Sequence, residues 1–205
     1  MKIIDLSHTF TNNMPVYPGD SKPEIKQTGS LETEGYNWFR IHTGLHVGTH
    51  IDSPLHFIEG GKFISDFPPG KFIGNGILID ARGKKEIDAD LLNNHDIKPG
   101  DIVLILTGFS VFYNEKKYFE DYPVMTKDFA EKLIESDIKM VGADTPSPDK
   151  SPYDIHKMLL SQDILIIENL TNLETLLQTE NFEVIALPPK LETEAAFARV
   201  VSRIL

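Results

Sequence analysis

Residues 46–56 read HVGTHIDSPLH and hold three of the seven histidines in the chain. A helix is disfavoured here, because β-branched residues alternate through the segment and Gly48 is a poor helix former. An extended strand places His46, His50 and Asp52 on one face, since successive side chains of a strand point to opposite sides. Gly48 would lie between the two imidazoles on that face and leave room for an ion. The segment therefore predicts a strand whose imidazoles and carboxylate match the ligands of Zn²⁺, Mn²⁺ or Fe²⁺.

The end of this segment supplies a further histidine. Pro54 is expected to end the strand and bend the chain, so that His56 reaches back over the same face. The alternative is a polar strand that faces solvent and binds no metal. For one isolated histidine that alternative is the better interpretation, whereas the clustered arrangement favours the metal site.

Composition limits the chemistry of any site. The chain has no cysteine, which excludes disulfides, thiolate nucleophiles and thiolate metal ligands. A metal must therefore be held by His, Asp, Glu or backbone oxygen. The formal net charge of −11, without a Lys/Arg cluster, disfavours nucleic acid as a partner because the phosphate backbone would be repelled.

Length and hydropathy predict one domain over residues 1–205. Hydrophobic residues make up 40% of the chain, which is enough to bury a core without disulfides. No apolar run is long enough to span a bilayer, and the N-terminal MKIIDLSHTF lacks the pattern of a signal peptide. We expect a cytoplasmic protein without membrane attachment.

The fold class is predicted to be α/β, with more strand than helix. Turn signals such as Pro69-Gly70 separate several segments rich in β-branched and aromatic residues. These predicted strands lie near 2–6, 36–43, 45–51, 76–80, 101–106, 138–143, 163–168, 183–187 and 197–204.

Three segments are predicted to be helical. TKDFAEKLIES has Thr126 as its N-cap and apolar residues at helical spacing. SPYDIHKMLL begins with Ser151 as a predicted N-cap and Pro152 at the first helical position. TNLETLLQ opens with Thr171 and Glu174, a capping-box pair.

A second group of candidate ligands lies in the C-terminal half. His156 falls on the predicted helix after Ser151, and Glu168 ends the apolar strand DILIIE. If Glu168 is buried, its carboxylate needs a partner, and a cation would serve. The alternative is an exposed glutamate at the end of a strand, and the residues alone leave both interpretations open.

The order of these motifs resembles the cyclase-like metal hydrolases, a family that includes bacterial kynurenine formamidases. HVGTHIDSPLHF resembles the family signature HxGTHxDxPxH. The resemblance covers nearly the whole chain and includes DLSHTFTNNMPVYPGD near the N-terminus, TGFS at 107–110, GADTPSPD at 142–149 and ENLTNL at 168–173.

The resemblance implies a site for two divalent metal ions, Zn²⁺ first and Mn²⁺ as the alternative. His46, His50 and Asp52 would hold one ion. Asp52, His156 and Glu168 would hold the other, so that Asp52 bridges the two. The resemblance also implies a swivelling β/β/α fold and a homodimer or larger homo-oligomer.

For activity, the resemblance implies hydrolysis of a small-molecule amide, with His56 as the catalytic acid/base. The predicted reaction is that of an arylformamidase in tryptophan catabolism, which converts N-formylkynurenine to kynurenine and formate. Tyr17, Phe57 and Phe63 are candidates for the wall that holds the aryl ring, although each of them could instead be plain core. Two alternatives stay open: hydrolysis of cyclic amides or imides, as in isatin hydrolases, and a metal-stabilised binding protein without turnover.

Overall fold

A mixed nine-stranded sheet forms the centre of the computed structural model, which describes all residues from Met1 to Leu205. Three α-helices accompany the strands: α1 (Leu31–Glu34), α2 (Lys127–Glu135) and α3 (Asp154–Leu160). Short 3-10 turns connect many of the other elements. The strands are β1 (Lys2–Asp5), β2 (Glu24–Gly29), β3 (Trp38–His42), β4 (His50–Asp52), β5 (Ile73–Asp80), β6 (Glu86–Ile87), β7 (Ile102–Leu106), β8 (Val124–Met125), β9 (Met140–Ala143), β10 (Leu165–Glu168), β11 (Phe182–Ile185), β12 (Ala195–Phe197) and β13 (Val201–Ile204).

The large sheet has the order β1-β13-β11-β5-β7-β9-β10-β4-β12. Its four central strands, β5, β7, β9 and β10, run parallel, and the strands on either side pair antiparallel. Two small sheets lie outside it, formed by β2 with β3 and by β6 with β8. The fold is thus the strand-rich α/β class that the sequence predicts.

Both faces of the central sheet are buried. In β7, Ile102, Leu104 and Leu106 pack into one apolar cluster, whereas Val103 and Ile105 pack into a second cluster on the opposite face. This division follows from the alternation of side chains along a strand. It explains why the central strands read as continuous apolar runs, which is typical of parallel strands covered on both sides.

Helices α2 and α3 cover the second of these faces. Phe129 and Leu133 of α2 and Leu159 of α3 are fully buried there. The helix predicted in TKDFAEKLIES is confirmed, with Thr126 at the N-cap position. None of the helices is long and apolar enough to cross a lipid bilayer.

Two helix predictions need correction. α3 begins at Asp154 rather than after Ser151, because Tyr153 adopts a left-handed φ of 62°. The cap comes from Asp149, whose carboxylate accepts the N–H of Ile155 at 2.7 Å. The segment TNLETLLQ forms only a 3-10 turn over Leu173–Leu176, since the residue at its N-cap position is also left-handed.

The strand predicted over 45–51 is also shorter than expected. Only His50–Asp52 is a strand, and residues 45–49 form a bend. Gly48 adopts a φ of +70°, a conformation that favours glycine. A Cβ on Gly48 would lie 2.6 Å from Cε of Met14, so the missing side chain makes room for a packed methionine rather than for an ion. The sequence patterns also missed β2, β6, β8 and β12.

Candidate metal centre

Strand pairing brings the first two candidate ligands together. β4 pairs antiparallel with β10, and this register places His50 directly opposite Glu168. Glu168 is the last residue of β10, at the carboxyl edge of the parallel strands. Ligands commonly bind at this edge of an open α/β sheet.

A buried group forms where these strands meet. The Nε2 atom of His50 lies 3.4 Å from Oδ1 of Asp52 and 3.3 Å from Oε2 of Glu168. All three residues are buried. One nitrogen and two carboxylates therefore converge on a small volume that solvent hardly reaches.

Helix α3 adds a second imidazole to this group. Nε2 of His156 lies 3.3 Å from Oε1 of Glu168 and 3.8 Å from Oδ2 of Asp52. Asp52 and Glu168 each face His50 with one oxygen and His156 with the other. The two carboxylates are thus placed between two imidazoles, as bridging ligands would be.

Hydrogen bonds on the far side of each ring orient these two histidines. Nδ1 of His50 lies 2.8 Å from the backbone oxygen of Gly48, and Nδ1 of His156 lies 2.6 Å from Oδ1 of Asp149. Both partners accept, so each Nδ1 carries a proton, and Nε2 is the nitrogen that would bind a cation once its own proton is displaced. Metal-binding histidines commonly have such an outer partner.

His46 and His56 lie in front of this group, nearer to solvent. Nδ1 of His46 lies 3.0 Å from Oδ1 of Asp52, and its Nε2 lies 3.5 Å from Oε1 of Glu194. The 3-10 turn Pro54–His56 carries the ring of His56 back to a centroid distance of 4.2 Å from the ring of His46. The bend expected at Pro54 is therefore present.

The polar atoms of the buried group fit a divalent cation. Nε2 of His50 and both carboxylate oxygens of Asp52 are buried without a hydrogen-bond partner, although the distances between them are short. Leaving such atoms unpaired is costly, and a cation would satisfy all three. The donors are nitrogen and oxygen only, a set that suits Zn²⁺ and Mn²⁺.

The pKa shifts of the cluster also indicate that its carboxylates favour positive charge beside them. Burial opposes protonation of His156, but its hydrogen bonds to Asp149 and Glu168 outweigh burial and raise its pKa to about 10. Burial likewise opposes protonation of His50, and Asp52 outweighs it, so the pKa of His50 lies well above its usual value. Burial opposes ionisation of Asp52, yet the neighbouring His46 and His50 hold its pKa well below its usual range. The carboxylates of the cluster thus stabilise cations beside them.

Two sets of side chains bring their ligand atoms close together. His46, Asp52 and His56 form one set, and His50, Asp52 and Glu168 form the other, with ligand atoms within 4.8 Å of one another in each. Asp52 belongs to both sets. His50 lies opposite Glu168 because its strand pairs with β10, whereas His46 lies within the bend, and its Nδ1 contacts the same oxygen of Asp52 as Nε2 of His50 does.

A pocket of about 310 Å³ opens in front of the cluster. This volume lies within the range of small-molecule sites. Of the three aromatic residues predicted to form the substrate wall, Tyr17 and Phe57 line the pocket. Phe63 does not, because it begins a separate 3-10 turn and is 36% exposed elsewhere on the surface. The pocket lining is Pro15, Val16, Tyr17, Asp20, His46, Gly48, His56, Phe57, Phe119, Pro146, Ser147, Tyr153, His156, Glu168 and Asn169.

Several residues of the site were missed by sequence reasoning. Asp149 ends the GADTPSPD segment, and a carboxylate shortly before a helix that carries a histidine was a usable signal. Phe119 and Tyr153 line the pocket, but neither lies in a pattern that points to it. Glu194 approaches His46 from the β12 side, where the sequence gives no local indication.

Comparisons with known proteins agree with this geometry. The sequence profile of a family described as putative cyclase matches residues 4–150. A kynurenine formamidase of Erythrobacter litoralis is 31% identical, with 98% of this chain and 94% of the relative aligned. A solved structure described as a potential metal-dependent hydrolase with cyclase activity is 30% identical with a TM-score of 0.79, covering 98% of this chain and 96% of its own. Isatin hydrolase A of Labrenzia aggregata shares the fold, with a TM-score of 0.88 at 24% identity over 98% of this chain and 93% of its own.

Proposed function

Because the chain belongs to the putative cyclase family, we propose that it is a metal-dependent hydrolase of small amides, and specifically an arylformamidase. Its substrate would be N-formylkynurenine, and its products kynurenine and formate. A sequence identity of 31% to a kynurenine formamidase, over nearly the full length of both chains, supports this substrate class.

One observation carries the proposal. Glu168, whose carboxylate converges with the buried ligand atoms of His50 and Asp52, lines a pocket whose wall also contains His56. A structural metal site is closed by protein ligands, whereas a catalytic site keeps an open position toward its substrate. Here Glu168, His46 and His156 line the pocket themselves, so the cluster is accessible from it.

We assign the metal to two groups of residues that share Asp52. His46, His50 and Asp52 would hold one divalent ion, and Asp52, His156 and Glu168 the other, with Zn²⁺ or Mn²⁺ as the ion. When bound, a divalent ion supplies Lewis acidity, which polarises an amide carbonyl and acidifies a water molecule.

His56 is the proposed acid/base. Burial lowers the pKa of His56, which favours a neutral imidazole with a free nitrogen lone pair. That nitrogen takes a proton from the attacking water and gives it to the leaving nitrogen as the C–N bond breaks. The reaction consumes one water and yields an amine and a carboxylate.

The walls of the pocket suit an aryl amide. Tyr17, Phe57, Phe119 and Tyr153 present aromatic rings to it, and such rings pack well against a planar substrate. A formyl group is small enough to reach the floor beside the histidines. The same walls would accept a planar cyclic amide, so an isatin-type substrate is the second candidate.

Substrate tests on the chelator-treated protein reloaded with Zn²⁺ or Mn²⁺ distinguish these proposals. We expect N-formylkynurenine to be hydrolysed with a kcat/KM at least tenfold above that for isatin. The reverse ratio would favour the cyclic-amide activity. Stoichiometric metal binding without turnover of formamides, cyclic imides or lactones would instead favour a metal-stabilised binding protein.

We also propose a homodimer. Phe39 and Ile41 lie on one face of β3 and are largely exposed, and Ile25 of β2 pairs with Ile41 on the same small sheet. An isolated two-stranded sheet is only marginally stable in water, so a covered face is expected. Light scattering should give twice the chain mass of 23.1 kDa, and Phe39→Glu should give monomers. A monomeric wild-type protein would contradict the proposal.

A further inference from the structure

We propose that Asp149 is a positioning residue that fixes the ring of His156 for metal binding. The inference rests on the proposed function, since it assigns a role beside a predicted metal ligand. Asp149 itself lies outside the group of converging ligand atoms, and it acts through the histidine.

Asp149 is held by contacts to both of its carboxylate oxygens. Oδ1 accepts the Nδ1 proton of His156 at 2.6 Å, and Oδ2 accepts the backbone N–H of Ile155 at 2.7 Å. The residue is 5% exposed. Its backbone oxygen also accepts the hydroxyl of Tyr122 at 2.8 Å, which anchors the loop. One buried side chain therefore caps α3 and orients a ring on that helix.

The consequence for His156 is a fixed tautomer. A carboxylate only accepts hydrogen bonds, so Asp149 keeps a proton on Nδ1, and Nε2, which faces Glu168 and Asp52, is the nitrogen that binds a cation once its own proton is displaced. The negative charge beside Nδ1 also makes the ring a stronger donor to a cation. Both effects increase affinity for a metal ion.

Two acceptors orient the rings of His50 and His156, and only Asp149 can be removed by a substitution. The ring of His50 is oriented by a backbone oxygen, that of Gly48, which no side-chain change removes. The ring of His156 depends on a side chain. Substituting Asp149 should therefore weaken one half of the site and leave the other half in place.

The test replaces Asp149 with Asn or Ala in the full chain and titrates the chelator-treated protein with Zn²⁺ alone. Asn keeps one of the two oxygens and replaces the other with an NH₂ donor, so either the ring Nδ1–H or the backbone N–H loses its acceptor, and the orientation of the His156 ring is held less firmly. We expect zinc affinity at one site to fall about 10- to 100-fold. In the zinc-titrated protein, imidazole ¹⁵N shifts should show the wild-type His156 ring protonated at Nδ1 and bound through Nε2, and in Asp149→Asn they should show a fraction of rings that are not bound through Nε2.

Asp154→Asn is the matched control. Asp154 lies in the first turn of the same helix, but it is exposed and pairs with Lys127 instead of the histidine. This variant should bind zinc like the wild type.

Thermal unfolding of the metal-free variants separates capping from positioning. A lower Tm in Asp149→Asn with unchanged zinc affinity and unchanged ¹⁵N shifts would mean that Asp149 only caps the helix, and would overturn the inference. Equal loss of zinc affinity in Asp154→Asn would overturn it as well. A wild-type protein that binds no zinc would overturn the proposed function itself, which the Asp149 variants alone cannot do.

Discussion

The histidines of the site form two pairs in contrasting surroundings. The back pair, His50 and His156, has side chains only 1% and 3% exposed, and each ring is fixed by an acceptor on Nδ1. The front pair, His46 and His56, lies in the wall of the pocket, with ring centroids 4.2 Å apart and ring planes tilted by 32°. His46 is 24% exposed.

This difference indicates separate roles for the two pairs. A buried ring whose Nδ1 is held by an acceptor suits the holding of an ion, because it need not move. In the front pair, His46 contacts Asp52 and is a proposed ligand, so His56 is the ring that can meet a substrate and transfer a proton. Asp52 links the two pairs, since its oxygens face His46, His50 and His156.

The largest expected effect comes from Asp52→Ala, which removes the link between the pairs. We expect metal content by elemental analysis to fall below one ion per chain, with loss of turnover, because Asp52 is the one residue shared by both sets of converging ligand atoms. Asp96→Ala is the control, since the carboxylate of Asp96 is 83% exposed and pairs only with Lys98. Retention of two ions by Asp52→Ala would show that it does not bridge.

His56→Ala tests the role given to the front pair. We expect turnover to fall by about 10²- to 10⁴-fold, the usual contribution of general acid–base catalysis. Metal content should persist, because His50, Asp52 and Glu168 still converge without His56. Steady-state kinetics and metal analysis on the same preparation check both parts. Turnover near the wild-type rate would exclude His56 as the proton carrier.

Much of the site was predictable because it is local in sequence. His46, His50, Asp52 and His56 fall within one short segment, and spacing alone indicated that they converge. The backbone that brings them together was predicted incorrectly. Gly48 is left-handed and Met14 packs where its Cβ would lie, a contact between residues too far apart in sequence for a local pattern to reveal.

The rest of the site depends on pairing between distant elements. Nothing near Glu168 indicates that its strand pairs with β4, so the sequence alone does not show that the side chain is buried. The resemblance to a family placed it correctly beside His156. Phe63 was chosen for the wall by residue type only, and residue type does not tell which way a loop faces.

A smaller effect is expected from the aromatic wall in front of the histidines. Tyr17 lines the pocket and packs edge-on against Phe119 at a centroid distance of 5.9 Å. Tyr17→Ala should raise KM for the aryl amide about tenfold with little change in metal content, since it removes an aromatic contact rather than a ligand. Phe63→Ala, the matched control outside the pocket, should leave KM unchanged. Equal effects of both variants would remove Tyr17 from the substrate wall.

His8 sharpens the comparison, because it is a partly buried histidine without a neighbouring carboxylate. Its ring stacks on Tyr113 at 3.6 Å, its Nε2 is buried without a partner, and burial lowers its pKa to about 4. Above pH 6.5 the ring is neutral in both the folded and the unfolded chain. Between pH 6.5 and about pH 4 the unfolded chain binds a proton on this ring and the folded chain does not. The free energy of unfolding therefore falls as the pH is lowered through this range.

His8→Phe keeps the stacked ring and removes this titration. Partial exposure of His8 screens the effect, so we expect the loss of unfolding free energy between neutral and acid pH to shrink by about 1 kcal/mol. Urea denaturation of the metal-free protein at the two pH values measures it, with His95→Phe as the exposed control. If the unfolding free energy of His8→Phe depended on pH as that of the wild type does, burial would not be what lowers the pKa of His8. Burial could then not be taken as an effect that the carboxylates beside His50 and His156 overcome when they raise the pKa of these residues.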